Sequence, residues 1–262
     1  MGVLRSTTQK NWRAFSISII LLLLFVLGAC QESSPADATQ EAIETANEHA
    51  SHASSQGEHR AETTQPSPVE LDPSRGQAIG IVYEAFLSPH QEGEDEEDTP
   101  SLAPDVFKST APSVPRNERT SRGHGTIAFT KDLSKAYVHV AIENVNPDDI
   151  VMFHIHCGRP GQLGPIIVDF GLMGDFQTYF EDGVFAAEVT NDDIRATTDH
   201  GHGIVGAFTA GCPIVPTMPL DKVKTIAGMQ FIGEQGELYF NLHTKGQTFF
   251  GDIRGQLARI SD

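Results

Sequence analysis

The chain has 262 residues, and its 35 acidic residues outnumber its 18 basic ones, so the formal net charge at pH 7 is −17. A charge of this sign and size excludes nucleic acid and anionic lipid as electrostatic partners. It favours a soluble, cation-attracting surface, but it identifies no ligand.

Residues 1–29 are predicted to be an export signal. Three basic residues precede an apolar run over residues 15–27, which is too short to cross a membrane comfortably. The run ends in Leu27-Gly28-Ala29-Cys30, which resembles the lipobox of bacterial lipoproteins, where the cysteine is acylated. The resemblance implies a lipid anchor on Cys30 that holds the protein to a membrane without spanning it. Gln31 at the next position favours the outer membrane or cell surface.

Residues 30–75 are predicted to be the lipidated cysteine followed by a disordered tether. The segment is rich in Ala, Ser, Thr, Glu, Gln and Pro, and it has too little aliphatic bulk to offset the entropy of ordering. His49, His52 and His59 lie within it, and we expect them to be solvated side chains rather than a site.

The two remaining cysteines are Cys157 and Cys212. Export places them in an oxidising compartment, so we predict a disulfide between them. Two free thiols are the alternative.

The folded domain is predicted over residues 76–262, starting with a strand at 78–87. A polar excursion at 88–122 follows, with six acidic residues between positions 92 and 98. We expect this acidic insertion to be a surface loop, and it lacks the spaced ligands and turn glycine of a dedicated calcium loop.

From residue 123 onwards, short alternating segments separated by turn signals predict an antiparallel β protein. A helical turn is expected from residue 191, capped by Asn191 or Asp192, then a loop over 197–219 and a short helix over 220–232. The pattern favours an all-β, antiparallel Greek-key sandwich or barrel with one or two short helices. The predicted strands after the insertion are 125–130, 135–145, 150–156, 165–170, 184–190, 237–244 and 250–260.

Three segments together resemble the CHRD domain, the module of chordin that is also found in bacterial exported proteins. They are His154-Ile155-His156 with its following glycine-rich turn, the segment 236–244, and the segment 251–257. The resemblance covers roughly residues 76–258 and implies an immunoglobulin-like or superoxide-dismutase-like β sandwich. It implies little about activity, because fold likeness alone does not define a function.

The histidines are the candidate site. Alternation along a strand puts His154 and His156 on one face and His243 on the corresponding face of its own strand. If residues 135–156 form a hairpin centred between positions 147 and 148, His139 lies opposite His156. Neutral imidazoles suit copper or zinc, so these four residues are the predicted metal ligands. The alternative is that they only hydrogen-bond their neighbours on a half-polar sheet face.

The sequence shows no convincing catalytic constellation. The sequence departs from the copper–zinc pattern of superoxide dismutase, since no histidine occurs between His156 and His200 to supply a zinc half-site. Arg254 is expected to pair with a carboxylate such as Asp169.

The leading hypothesis for the whole chain is a lipid-anchored, non-enzymatic binding module with a protein or glycan partner. The alternative hypothesis is a copper- or zinc-binding redox or metal-handling protein.

Overall fold

The structure is a computed structural model that describes residues 72–260, except 202–205, 207 and 216–217. The chain divides into two units, Met1–Ser67 and Pro68–Asp262, and every described residue belongs to the second. The predicted signal peptide, Cys30 and the tether histidines lie outside the described residues. None of the helices in the described part of the chain has the length and apolar content of a membrane span.

In the described residues, antiparallel strands form two main sheets and one small sheet. The first sheet has the spatial order β11 (Ala258–Arg259), β1 (Ile79–Leu87), β2 (Arg122–Thr130), β3 (Lys135–Glu143) and β6 (Val184–Thr190). The second has the order β10 (Ile253–Gln256), β9 (Leu238–Thr244), β4 (Ile150–Cys157) and β5 (Ile166–Asp169). The small sheet pairs β7 (Pro213–Val215) with β8 (Met218–Lys222). This architecture confirms the predicted all-β antiparallel fold class.

A cluster of phenylalanines joins the two main sheets. The Phe153 ring of β4 lies 4.9 Å from the Phe170 ring, 5.2 Å from that of Phe185 in β6, and 5.8 Å from that of Phe240 in β9, between centroids. All four side chains are fully buried. Burying each one contributes roughly 1.5–3 kcal/mol, so this cluster is a major source of the sandwich's stability.

The helices whose bounds lie within the described residues include α1 (Phe176–Tyr179), α2 (Asn191–His200) and α3 (Ile226–Glu234), which connect strands. The expected cap of α2 at Asn191 or Asp192 is wrong, because Thr190 caps the helix in a reciprocal pair with the Asp193 carboxylate. Helix α2 therefore runs on into the stretch expected to be a loop. Helix α3 begins later than the predicted position 220, because the chain there still forms β8.

The acidic insertion between β1 and β2 packs on the second sheet. The buried Glu96 carboxylate accepts hydrogen bonds from the backbone N–H groups of Thr248, Phe249 and Phe250, at 3.0–3.3 Å. Phe107 also contacts Phe249 edge-to-face, with ring centroids 6.5 Å apart. The insertion is thus held at several points, and it covers a sheet face that the sequence pattern alone leaves open to solvent.

Candidate metal centre

His154, His156 and His243 lie together on the outer face of the second sheet. Strand β4 carries His154 and His156 two residues apart, and β9 places His243 beside them because Met152 pairs with His243. The ring centroid of His154 lies 5.2 Å from that of His156 and 5.3 Å from that of His243. One nitrogen from each of the three rings lies within 4.8 Å of the others.

Backbone carbonyls orient two of these imidazoles. His156 Nδ1 lies 2.8 Å from the carbonyl oxygen of Gly164, and His243 Nδ1 lies 3.0 Å from that of Thr248. Because a carbonyl oxygen can only accept, each Nδ1 carries the hydrogen and each Nε2 keeps its lone pair. Both Nε2 atoms are buried and have no hydrogen-bond partner among the described residues. Two lone pairs are therefore free to bind a metal.

A carboxylate orients the third imidazole. His154 Nε2 lies 3.5 Å from Asp169 Oδ1, and β5 brings Asp169 there as the register partner of His154. The Nδ1 atom of His154 is buried and lacks a hydrogen-bond partner among the described residues. Burial acts to raise the pKa of Asp169, but hydrogen bonding and the charge of His154 outweigh it and lower that pKa. Asp169 is thus an ionised carboxylate that contacts the far side of the His154 ring, as carboxylates that orient metal-binding histidines do.

Burial keeps two of the histidines neutral. Loss of hydration, with the nearby charge of His154, lowers the pKa of His243 to about 3. The same two causes bring the pKa of His156 well below its usual 6.5. Metals bind only the neutral imidazole, so both side chains are ready to act as ligands at neutral pH.

Tyr239 and Arg254 support the turn that holds His156. The Tyr239 ring stacks on the His156 ring with centroids 4.9 Å apart, and its hydroxyl accepts a hydrogen bond from Gly164 N–H. The Arg254 guanidinium lies 3.5 Å from the Tyr239 centroid and donates to the carbonyls of Gln162 and Arg159. The expected pairing of Arg254 with Asp169 is therefore wrong, because each has a different partner.

Gly164 allows this turn to approach the strand closely. A Cβ atom at this position would lie 1.7 Å from the carbonyl oxygen of Cys157, so no side chain can be accommodated. The turn and β4 are thereby in direct backbone contact, and the Gly164 carbonyl reaches His156.

His139 is not part of the cluster, and its prediction as a ligand is wrong. It lies on β3 in the first sheet, where its partners are Thr126 in β2 and Ala186 in β6, and its side chain is exposed. The expected hairpin does not form, because the turn after β3 carries the chain across to the other sheet. Sequence-adjacent strands in a sandwich often separate in this way.

Cys157 and Cys212 form a disulfide with an S–S distance of 2.08 Å, which confirms the predicted pairing. It joins the residue after His156 to the segment before β7. That segment also contributes Thr209 to a cavity of about 100 Å³ beside the three histidines. The disulfide therefore fixes one side of the candidate site.

The fold and this cluster define a β-sandwich protein with a candidate metal site on one outer sheet face. The CHRD domain model matches residues 107–257, which is more than half of the 262-residue chain. The chain therefore belongs to the CHRD domain family, as the sequence motifs predict. No curated protein and no solved structure matches it. Membership of the family suggests a binding module that acts outside the cytoplasm.

Proposed function

We propose that this chain is a binding module whose ligand is a copper or zinc ion held by His154, His156 and His243. One observation carries the proposal: three imidazoles that each have a buried nitrogen without a hydrogen-bond partner in the described residues bring one nitrogen each to within 4.8 Å of the others. A buried polar atom left unpaired costs about 1–3 kcal/mol, and a bound metal would offset three such costs at once. Neutral imidazole suits both metals, and copper binds more tightly at a given nitrogen site.

The proposed role is to bind or carry the metal without catalysing a reaction. In the described part of the chain, these histidines are the single group of three or more His, Cys, Asp or Glu residues with metal-binding geometry. This supports a mononuclear site rather than the paired copper and zinc sites of a dismutase. The separate contacts that hold each ring support a site organised before the metal arrives.

Metal binding by variant proteins tests this function. The full chain is purified in detergent, stripped with a chelator, exposed to one equivalent of copper or zinc, desalted and analysed for metal. We expect one tightly held ion in the wild type and none in the His154→Ala/His156→Ala double variant. His139→Ala is the matched control, because it removes an exposed histidine from the other sheet, and it should bind like the wild type. A wild type that retains no stoichiometric metal would end the proposal.

We also propose that Cys30 anchors the module by lipid to the outer membrane or cell surface. The lipobox-like motif supports this, and the Cys157–Cys212 disulfide is typical of an oxidising compartment. Cells fed an alkyne fatty acid should label the wild-type protein and leave the Cys30→Ser variant unlabelled and released from the membrane fraction. Equal labelling of the two proteins would contradict the anchor.

A polar cleft supports a second candidate function, the binding of a glycan or protein partner. The cleft has a volume of about 410 Å³, and its lining includes Glu118, Asn144, Asn146, Asp149 and Gln247. Short amide and carboxylate side chains are suited to hydrogen-bonding sugar hydroxyls. A glycan array probed with the full chain should give signals that Asn146→Ala weakens. Signals that are unchanged by this substitution would remove the cleft from consideration.

A further inference from the structure

The three histidines line one side of the cavity of about 100 Å³, and the other walls are mostly apolar. Strand β4 contributes Met152 to these walls, and β5 contributes its first residue, Ile166. The acidic insertion contributes Phe107, the segment after β9 contributes Phe249, and the glycine-rich turn contributes Leu163. Several separate segments of the chain therefore wall the cavity around the three histidines.

Three imidazole nitrogens leave at least one coordination position of copper or zinc without a protein ligand. Among the described residues that line the cavity there is no carboxylate and no thiol, and the only imidazoles are those of the three histidines. Asp169 interacts with the opposite nitrogen of His154, and Cys157 is held in the disulfide. A further ligand would thus come from outside the described residues.

The size and polarity of the cavity select the class of that ligand. A water molecule occupies ~30 Å³ of liquid, so a cavity of about 100 Å³ holds only a few non-hydrogen atoms. An anion would be attracted by the bound cation, but on entering among phenylalanine, leucine, isoleucine and methionine side chains it would lose hydration that these walls do not replace. A neutral molecule with one donor atom enters without that loss, so the apolar walls favour it.

We propose that the metal-loaded site takes a small neutral ligand, with a single donor atom, through this apolar cavity. This inference rests on the proposed metal-binding function. Leu163 lines the cavity and remains 55% exposed, so it lies between the cavity and solvent. In this proposal it limits access from solvent without contributing to the metal ligands.

Carbon monoxide is a suitable probe, since it is small, neutral and binds copper(I) through one atom. The full chain loaded with copper(I) is titrated with carbon monoxide and followed by the infrared stretch of the bound gas. We expect one bound molecule per copper in the wild type. In Leu163→Trp, where a larger ring closes the entrance, the bound fraction or the rate of binding should fall at least tenfold. Leu172→Trp is the matched control at another exposed leucine, and it should behave like the wild type.

Copper analysis of the same samples separates the two claims. A wild type that holds copper but takes up no carbon monoxide overturns the inference and leaves the metal site standing. Equal uptake by Leu163→Trp and the wild type, at equal copper content, also overturns it. A wild type that holds no copper overturns the proposed function and the inference together.

Discussion

Glu92, in the acidic insertion, is a buried carboxyl group that should make the protein less stable as the pH rises. Its side chain is only 5% exposed, and its Oε1 has no hydrogen-bond partner among the described residues. Burial raises its pKa from the ordinary 4.5 to about 8, although the charges of Arg254 and Arg119 act in the opposite direction. Glu92 is therefore protonated in the folded protein at pH 7.

The unfolded chain exposes Glu92 to water, where its carboxyl group ionises near pH 4.5. Stability that depends on this group is complete below pH 4.5 and is lost as the pH rises through about 8. At ~1.4 kcal/mol for each pKa unit between 4.5 and about 8, the full loss is on the order of 5 kcal/mol. A glutamine in its place stays neutral at every pH, so Glu92→Gln should lack this loss.

Urea unfolding of both proteins at pH 5 and pH 8.5, followed by circular dichroism, measures the effect. We expect Glu92→Gln to gain several kcal/mol over the wild type between the two pH values. Glu94→Gln is the matched control, because Glu94 is an exposed acid of the same segment and should follow the wild type. If Glu92→Gln shows the wild-type pH dependence, Glu92 is not a buried neutral acid and the reasoning is refuted.

Three other predictions concern the site. Asp169→Asn removes the charge that orients His154, so the metal affinity of the variant should be about tenfold to a hundredfold lower than that of the wild type. Competition with a chelator measures this affinity, and an unchanged value would contradict the role of Asp169. His156 and His243 are already neutral, so metal binding at pH 6 should release at most one proton. Three ordinary imidazoles would release about two protons at this pH. Calorimetry in two buffers of different ionisation enthalpy measures the number released. Cys157 and Cys212 should not react with an alkylating reagent before reduction, and free thiols by intact mass would contradict the disulfide.

Alternation in the sequence is enough to predict the fold class and all three histidines of the cluster, with His139 wrongly added to them. In β4, Phe153 and Ile155 face the core while His154 and His156 face the other side, and β9 follows the same rule. These local patterns survive in the structure because each strand must bury one apolar face. The prediction for His139 is wrong because alternation says nothing about which sheet a strand joins, and β3 and β4 join different sheets.

The contacts that the acidic insertion makes with the segment after β9 were beyond prediction from the sequence. The 239–243 face of β9 looked half-exposed, yet Tyr239, Asn241 and His243 are all buried. The glycine-rich turn and Arg254 cover Tyr239. The acidic insertion adds further cover, because its Glu96 binds three backbone N–H groups more than 150 positions away. An acidic run is ordinarily a solvated surface, so only the structure reveals that it helps to enclose the site.

X-ray absorption spectroscopy of the copper-loaded full chain tests the central claim most directly. The extended fine structure counts the imidazole ligands of the metal and measures their distances. We predict three imidazole nitrogens at ~2.0 Å in the wild type and in His139→Ala, with loss of this pattern in the His154→Ala/His156→Ala variant. Copper bound by oxygen donors alone, or an unchanged spectrum in the double variant, would contradict a metal site built from His154, His156 and His243.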